Sequence, residues 1–279
     1  MHSKHIMTRK SCPNFYSSIL LLWLTFSFTT TEDYCSKKCE NGEYHTLCKF
    51  GGISPYCKDF HHFNDVQEKR EILRFHNKVR NSFAGAKANT YHPPAANMML
   101  MYWDVELEKS ALRWAQQCTA SLERDDCRDL LRFKVGQSVA VIKENVTAGL
   151  SPVRALLDEW YAQWASMELP LLDSYNSDGA DVDELTQLLW SNTTRVGCAD
   201  VIYSTHNDEV IRQLVCNYGP AGNILGRPVY LKGRPCSACP LGTSCVLKRL
   251  ENLCAGEIIE QTLLHIRIEK MSSSEGTEQ

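Results

Sequence analysis

Long basic runs are missing from this sequence. No stretch of Lys and Arg exceeds two or three residues, and the formal net charge is −3. A chain with that balance lacks the electrostatic footprint of a nucleic-acid binder. Beyond residue 30 no apolar run is long enough to cross a bilayer, so the body of the chain contains no predicted membrane span. No internal repeat is present. No Ser/His/Asp or Cys/His set marks a hydrolase. Gly136-Gln137-Ser138 has the start of a nucleophile elbow, but it lacks the closing Gly and leads along a predicted strand. Cysteine is the exception to this scarcity, with 13 in 279 residues.

The first residues explain one of those cysteines. His2, Lys4, Arg9 and Lys10 form a polar, basic start, and "ILLLWLTFSF" follows as a short apolar core. This pattern predicts a signal peptide over 1–31, cleaved between Ser27 and Glu32. Cys12 leaves with it. Twelve cysteines remain, an even number, which in an oxidising compartment reads as six disulfides and leaves no thiolate nucleophile. Cys236-x-x-Cys239, with Cys245 and Cys254 close behind, reads as a knot of two disulfides. The sequons at Asn145 and Asn192 fit a secreted glycoprotein.

Residues 32–62 form a cysteine-rich arm. A helix is predicted from about Val66 to Phe83, with Ile72, Phe75, Val79 and Phe83 at helical spacing and Asn64 as N-cap. His76 sits on this helix among apolar neighbours and reads as a structural histidine. Asp104 caps a second helix that presents Leu107, Ala111, Trp114, Ala115 and Cys118. A strand is predicted over 133–142. Ser151-Pro152 opens a third helix with Pro in its first turn and a stripe of Val153, Leu156, Leu157, Trp160 and Trp164. Residues 166–180 read as loop. A short helix over about 183–190 precedes two strands, "TRVGCADVIY" and "VIRQLVCNYG", joined through His206-Asn207-Asp208. Trp160, Trp164, Met98, Met99 and Met101 read as core, with a lipid pocket as the sharper alternative. Asp125, Asp126, Asp181, Asp183 and Glu184 read as a solvated acidic face, with calcium as the sharper alternative. Beyond Tyr230 a compact cysteine-rich extension covers 231–255. A weak helix is expected over 255–270, and the tail over 256–279 is expected to be partly disordered. The whole is an α+β chain, helices around a small antiparallel sheet in an α-β-α sandwich stapled by disulfides.

Several segments occur together in a fixed order. They are His76-Asn77-x-x-Arg80, "PAANM", "YWDVELEKSALRWAQQC", "CR" at 127–128, "VGQSVA", "TQLLW", "VGC" and "LVCNYGPAGNILGRPVY". This ordered set resembles the CAP superfamily of cysteine-rich secretory, antigen 5 and pathogenesis-related 1 proteins, within it the insect venom allergen 5-like group. The resemblance covers about 35–230, with the family domain itself at 63–230. It implies a three-layer α-β-α sandwich. It also implies the pairs Cys35–Cys48, Cys39–Cys127, Cys57–Cys118 and Cys198–Cys216, and by analogy with hinge-like knots Cys236–Cys245 and Cys239–Cys254.

Many members carry a cleft of two histidines and two carboxylates that suits zinc. The positions here depart from it. Glu184 stands in place of one histidine in Asp183-Glu184-Leu185-Thr186-Gln187, and the segment "CTASLERDDC" contains none. Gln137 and Gln163 stand at the carboxylate positions. The expectation is a degenerate cleft of Gln137, Gln163 and Glu184 with no metal, no cofactor and no catalytic residue. Glu184 is expected to accept hydrogen bonds from the two amides or from a nearby arginine. The implied role is a secreted, non-enzymatic protein that binds an extracellular or cell-surface protein, with a male seminal-fluid factor as the sharper reading. A carrier of sterol or fatty acid is the alternative, and a hydrolase the least favoured.

Overall fold

The structure is a computed structural model, and it describes residues 34–36, 38–86, 91–145, 149–176 and 181–256. The predicted signal peptide, the predicted helix beyond 256 and the C-terminal tail lie outside those residues. The arm contains a single helical turn, α1 (Thr46–Lys49), and an edge strand, β1 (Lys58–Phe63). The long helix α2 (Val66–Ala84) follows, then a two-residue strand β2 (Tyr102–Trp103) and α3 (Val105–Ala115). Next come β3 (Gly136–Lys143) and α4 (Val153–Ala162), which runs into a 3-10 turn at Gln163–Ser166. A second 3-10 turn, Leu169–Leu172, lies inside the segment expected to be loop. Then α5 (Asp183–Leu189) leads into the strands β4 (Arg195–Ser204) and β5 (Val210–Gly219). The extension closes as a small ribbon, β6 (Thr243–Cys245) with β7 (Cys254–Gly256), so the start of the expected weak helix is strand.

The sheet order is β1-β4-β5-β3, all antiparallel, with β2 added in parallel to the start of β4. Period-two alternation sorts its side chains between two cores. Val139, Ala199, Val201, Tyr203, Ile211 and Val215 meet Ala111 and Ala115 of α3 on one face. Ala140, Val196, Cys198, Leu214, Cys216 and Tyr218 meet α2, α4 and α5 on the other. Three layers result, helix on sheet on helices. Trp160, Met98, Met99 and Met101 are all buried. Trp164, only half-buried, stacks edge-on against Phe83 and His92.

Two helix starts differ from expectation. Asp65, not Asn64, caps α2, its carboxylate accepting from Gln67 N (2.7 Å) and Glu68 N (2.9 Å). Pro152 is the N-cap of α4 and not its first helical residue. Asp104 caps α3 as expected, accepting from Glu106 N and Leu107 N. Gly197 on β4 lets α3 pack close: a Cβ there would lie 2.2 Å from Glu108 N and 2.4 Å from Asp104 O.

Arg80 holds the helical layer to its loops. It is fully buried on α2 and donates to the carbonyls of Met99, Leu188, Trp190, Ser191 and Thr193 at 2.6–3.1 Å. Burial lowers its pKa to about 9, so it stays charged at neutral pH, its charge solvated by the carbonyl dipoles. Asn77, one turn earlier, pairs with both backbone groups of Met101 (2.9 and 2.8 Å). His76 bridges Ile72 O (2.8 Å) and the Tyr218 hydroxyl (2.9 Å), and burial pushes its pKa down to about 4. The His76-Asn77-x-x-Arg80 motif is therefore structural. Cysteines pair as Cys35–Cys48, Cys39–Cys127, Cys57–Cys118, Cys198–Cys216, Cys236–Cys245 and Cys239–Cys254.

Candidate functional site: an ion pair in place of metal ligands

The residues singled out by sequence come from three elements. Gln137 is the second residue of β3, Gln163 begins the 3-10 turn after α4, and Glu184 lies in the first turn of α5. Glu184 is 6% exposed, so it is not part of a solvated face. Its Oε2 accepts from Gln163 Nε2 at 2.7 Å, and its Oε1 accepts a short bond from Arg124 Nη2. Gln163 in turn accepts from Leu185 N (2.9 Å), which fixes the amide across the helix start. Arg124 also pairs with Asp183 Oδ2 at 3.2 Å, and the Tyr175 hydroxyl donates to Asp183 Oδ1 at 2.5 Å. One guanidinium thus bridges two successive carboxylates of α5.

Burial works against the charge on Arg124, but Glu184 and Asp183 outweigh it and hold the pKa above the ordinary arginine value. Burial, then the bond to Asp183, pushes the Tyr175 phenol above its usual range. Gln137 belongs to a separate network. Its Oε1 accepts from Asp125 N (2.9 Å) and its Nε2 donates to Asn217 Oδ1 (2.8 Å). The expected bond between Gln137 and Glu184 is absent, because β3 aims the amide at the 119–126 segment and at β5. Asp125 itself is buried, and burial raises its pKa. Ser138 is fully buried on β3, paired opposite Cys216, with no elbow.

The rest of the α5 motif positions a loop. Gln187 accepts from Gly222 N (2.9 Å), and Thr186 Oγ1 donates to Asn223 Oδ1 (2.8 Å). Gly136 makes room for that glutamine, since a Cβ there would sit 2.0 Å from Gln187 Oε1. Arg124 is the site residue that sequence reading did not name. Its segment has no periodic pattern, and its contacts lie 59 and 60 residues away.

A zinc ion does not fit this donor set. Both oxygens of Glu184 are engaged, no imidazole is among the cleft residues described above, and the amides are spent on fixed hydrogen bonds. The guanidinium supplies the positive charge between the carboxylates. Elsewhere among the described residues, the one group of potential ligand atoms in metal-binding proximity is Cys236, Cys239 and Cys254. All three are in disulfides. Asn145 and Asn192 are both exposed.

A disulfide-stapled α-β-α sandwich with buried polar networks on the strand β3, at the end of α4 and at the start of α5 defines the class of this protein. Residues 73–218 match the family model described as CAP, the cysteine-rich secretory protein family, and the chain belongs to that family. It is 34% identical over 230 residues to venom allergen 3 of Solenopsis invicta, a match covering 76% of this chain and 97% of the relative. It is 35% identical over 225 residues to venom allergen 5.01 of Dolichovespula maculata, covering 77% and 96%. Among solved structures, the crystal structure of NaASP2 with Zn2+ superposes with a TM-score of 0.55 at 27% identity, over 68% of this chain and 96% of that one. The zinc belongs to that protein.

Proposed function

We propose that this is a secreted, non-enzymatic interaction protein that recognises an extracellular or cell-surface protein without a metal. The observation that carries this reading is the Arg124 bridge to Asp183 and Glu184, a fixed internal cation in the family's cleft. The six disulfides and the exposed Asn145 and Asn192 fit an extracellular life, and a male reproductive secretion is the setting we assign. Tagged protein applied to intact reproductive-tract cells should bind saturably, and binding should be unchanged by a chelator. Binding abolished by the chelator, and restored by zinc, would overturn the metal-free reading.

Calorimetry gives the second arm of the test. Zinc should show no micromolar binding to the native chain. Glu184→His should not create a strong site, because 119–126 offers no second imidazole.

A second reading, a carrier of sterol or fatty acid, has one observation in its favour. A groove of about 510 Å3 is lined in part by Trp190, Ile224, Pro228, Tyr230 and Leu231, with Ile224 and Leu231 about half exposed. Mass spectrometry of organic extracts of the purified protein separates the readings. A stoichiometric sterol or fatty acid would favour the carrier.

A further inference from the structure

The outer face of α2 carries Arg70, Arg74 and Lys78, each four residues after the last. At 1.5 Å of rise per residue they stand about 6 Å apart along the helix axis. All three are exposed. None enters an ion pair among the described residues, whereas their neighbour Lys69 is paired with Glu108 at 2.6 Å. From α4, Arg154 reaches the same face. Its guanidinium lies over the ring of Phe75, 4.6 Å from the centroid, and its Nε is held by Asp158 at 2.8 Å. These side chains, with Gln67 and Glu71, line an open groove of about 510 Å3.

Four cations therefore meet two carboxylates, Glu71 in the groove and Asp158 on Arg154, on a chain whose net charge is −3. Like charges at i, i+4 destabilise a helix, so the fold gains nothing from this row. A row of exposed, unpaired cations along a rigid element is a field for a linear polyanion. Guanidinium forks match tetrahedral oxyanions, and Lys78 adds a point charge.

We propose that this groove binds a linear sulfated polysaccharide. An acidic peptide is the weaker fit, because a helix face offers no free strand edge for its backbone. A nucleic acid is weaker still, because the one ring in the groove, Phe75, is buried beneath Arg154 and offers no stacking platform. The groove is built from the outer face of α2 and the first turn of α4 and shares no residue with the Arg124 site, so the fate of the Arg124 reading does not decide it.

Surface plasmon resonance of the full chain on immobilised heparin tests the proposal. Binding should fall steeply with added salt. The triple variant Arg70→Glu, Arg74→Glu, Lys78→Glu should weaken it at least about tenfold. Reversing Lys109, Lys248 and Arg249 to Glu makes the same change in net charge at exposed positions elsewhere and should change binding less than about twofold. Desulfated heparin and polyglutamate should compete poorly, and vesicles rich in phosphatidylserine should not retain the protein. Equal loss in both triple variants would overturn the proposal as a mere net-charge effect. Undiminished binding in the α2 variant, or competition by polyglutamate as strong as by heparin, would also overturn it. Should the α2 triple variant misfold, Lys78→Gln with Arg154→Gln provides the same readout through two exposed side chains.

Discussion

Removing the Glu184 carboxylate leaves two donors without their acceptor, Arg124 Nη2 and Gln163 Nε2, at a buried position. Glu184→Ala should therefore cost about 1–3 kcal/mol, read as a lower denaturant midpoint at unchanged slope. A solvated glutamate would have been replaceable for nothing. Asp183 still pairs with Arg124, so Arg124→Ala should cost more than Glu184→Ala, having left two carboxylates uncompensated. His76 sets a different dependence. Its folded pKa is depressed to about 4, so the neutral ring is the native form. The unfolded chain binds the proton near pH 6.5, and its stabilisation is therefore present above that pH and lost as pH falls towards 4. A shift of that size amounts to about 3 kcal/mol at most. Thermal midpoints should drop through this window, and His76→Gln should flatten that part of the profile.

At the scale of elements, α2 was the most legible part of the chain. Its apolar spacing locates the helix to within a residue at its C-terminal end, because 3.6-residue periodicity is written in the order of side chains. Its cap was not legible: Asn64 and Asp65 are both good caps, and only the turn geometry selects Asp65. The cleft was half legible. Motif positions named Gln137, Gln163 and Glu184, but the division into two networks depends on where β3 points its side chains. Arg124 was out of reach because its segment is irregular and its partners are distant in sequence. Arg80 ties the elements together. Arg80→Leu should destabilise by about 3–5 kcal/mol, since five buried carbonyls lose their donors. Arg80→Lys should not restore it, because an ammonium has three donors and no fork. Hydrogen exchange should quicken first in 188–193.

For the molecule as a whole, the disulfides divide by the length of chain they close. Cys39–Cys127 spans 88 residues and Cys57–Cys118 spans 61. In the chain-entropy picture each stabilises by about 4–5 kcal/mol, against about 2.5–3 kcal/mol for the nine-residue span of Cys236–Cys245. Replacing Cys39 and Cys127 together by Ala should lower the unfolding temperature more than replacing Cys236 and Cys245. Peptide mapping without reductant should return the six pairs of the structure, and a Cys57–Cys127 peptide would refute the core assignment. Asn192 has a place in this larger picture too, because it stands on the wall of the groove beside Trp190, Tyr230 and Leu231. A sugar attached there would stand as a curtain across the mouth of that groove. Protein made in bacteria would display the groove bare, and protein made in insect cells would display it draped. The choice of host would then decide which surface a binding experiment interrogates.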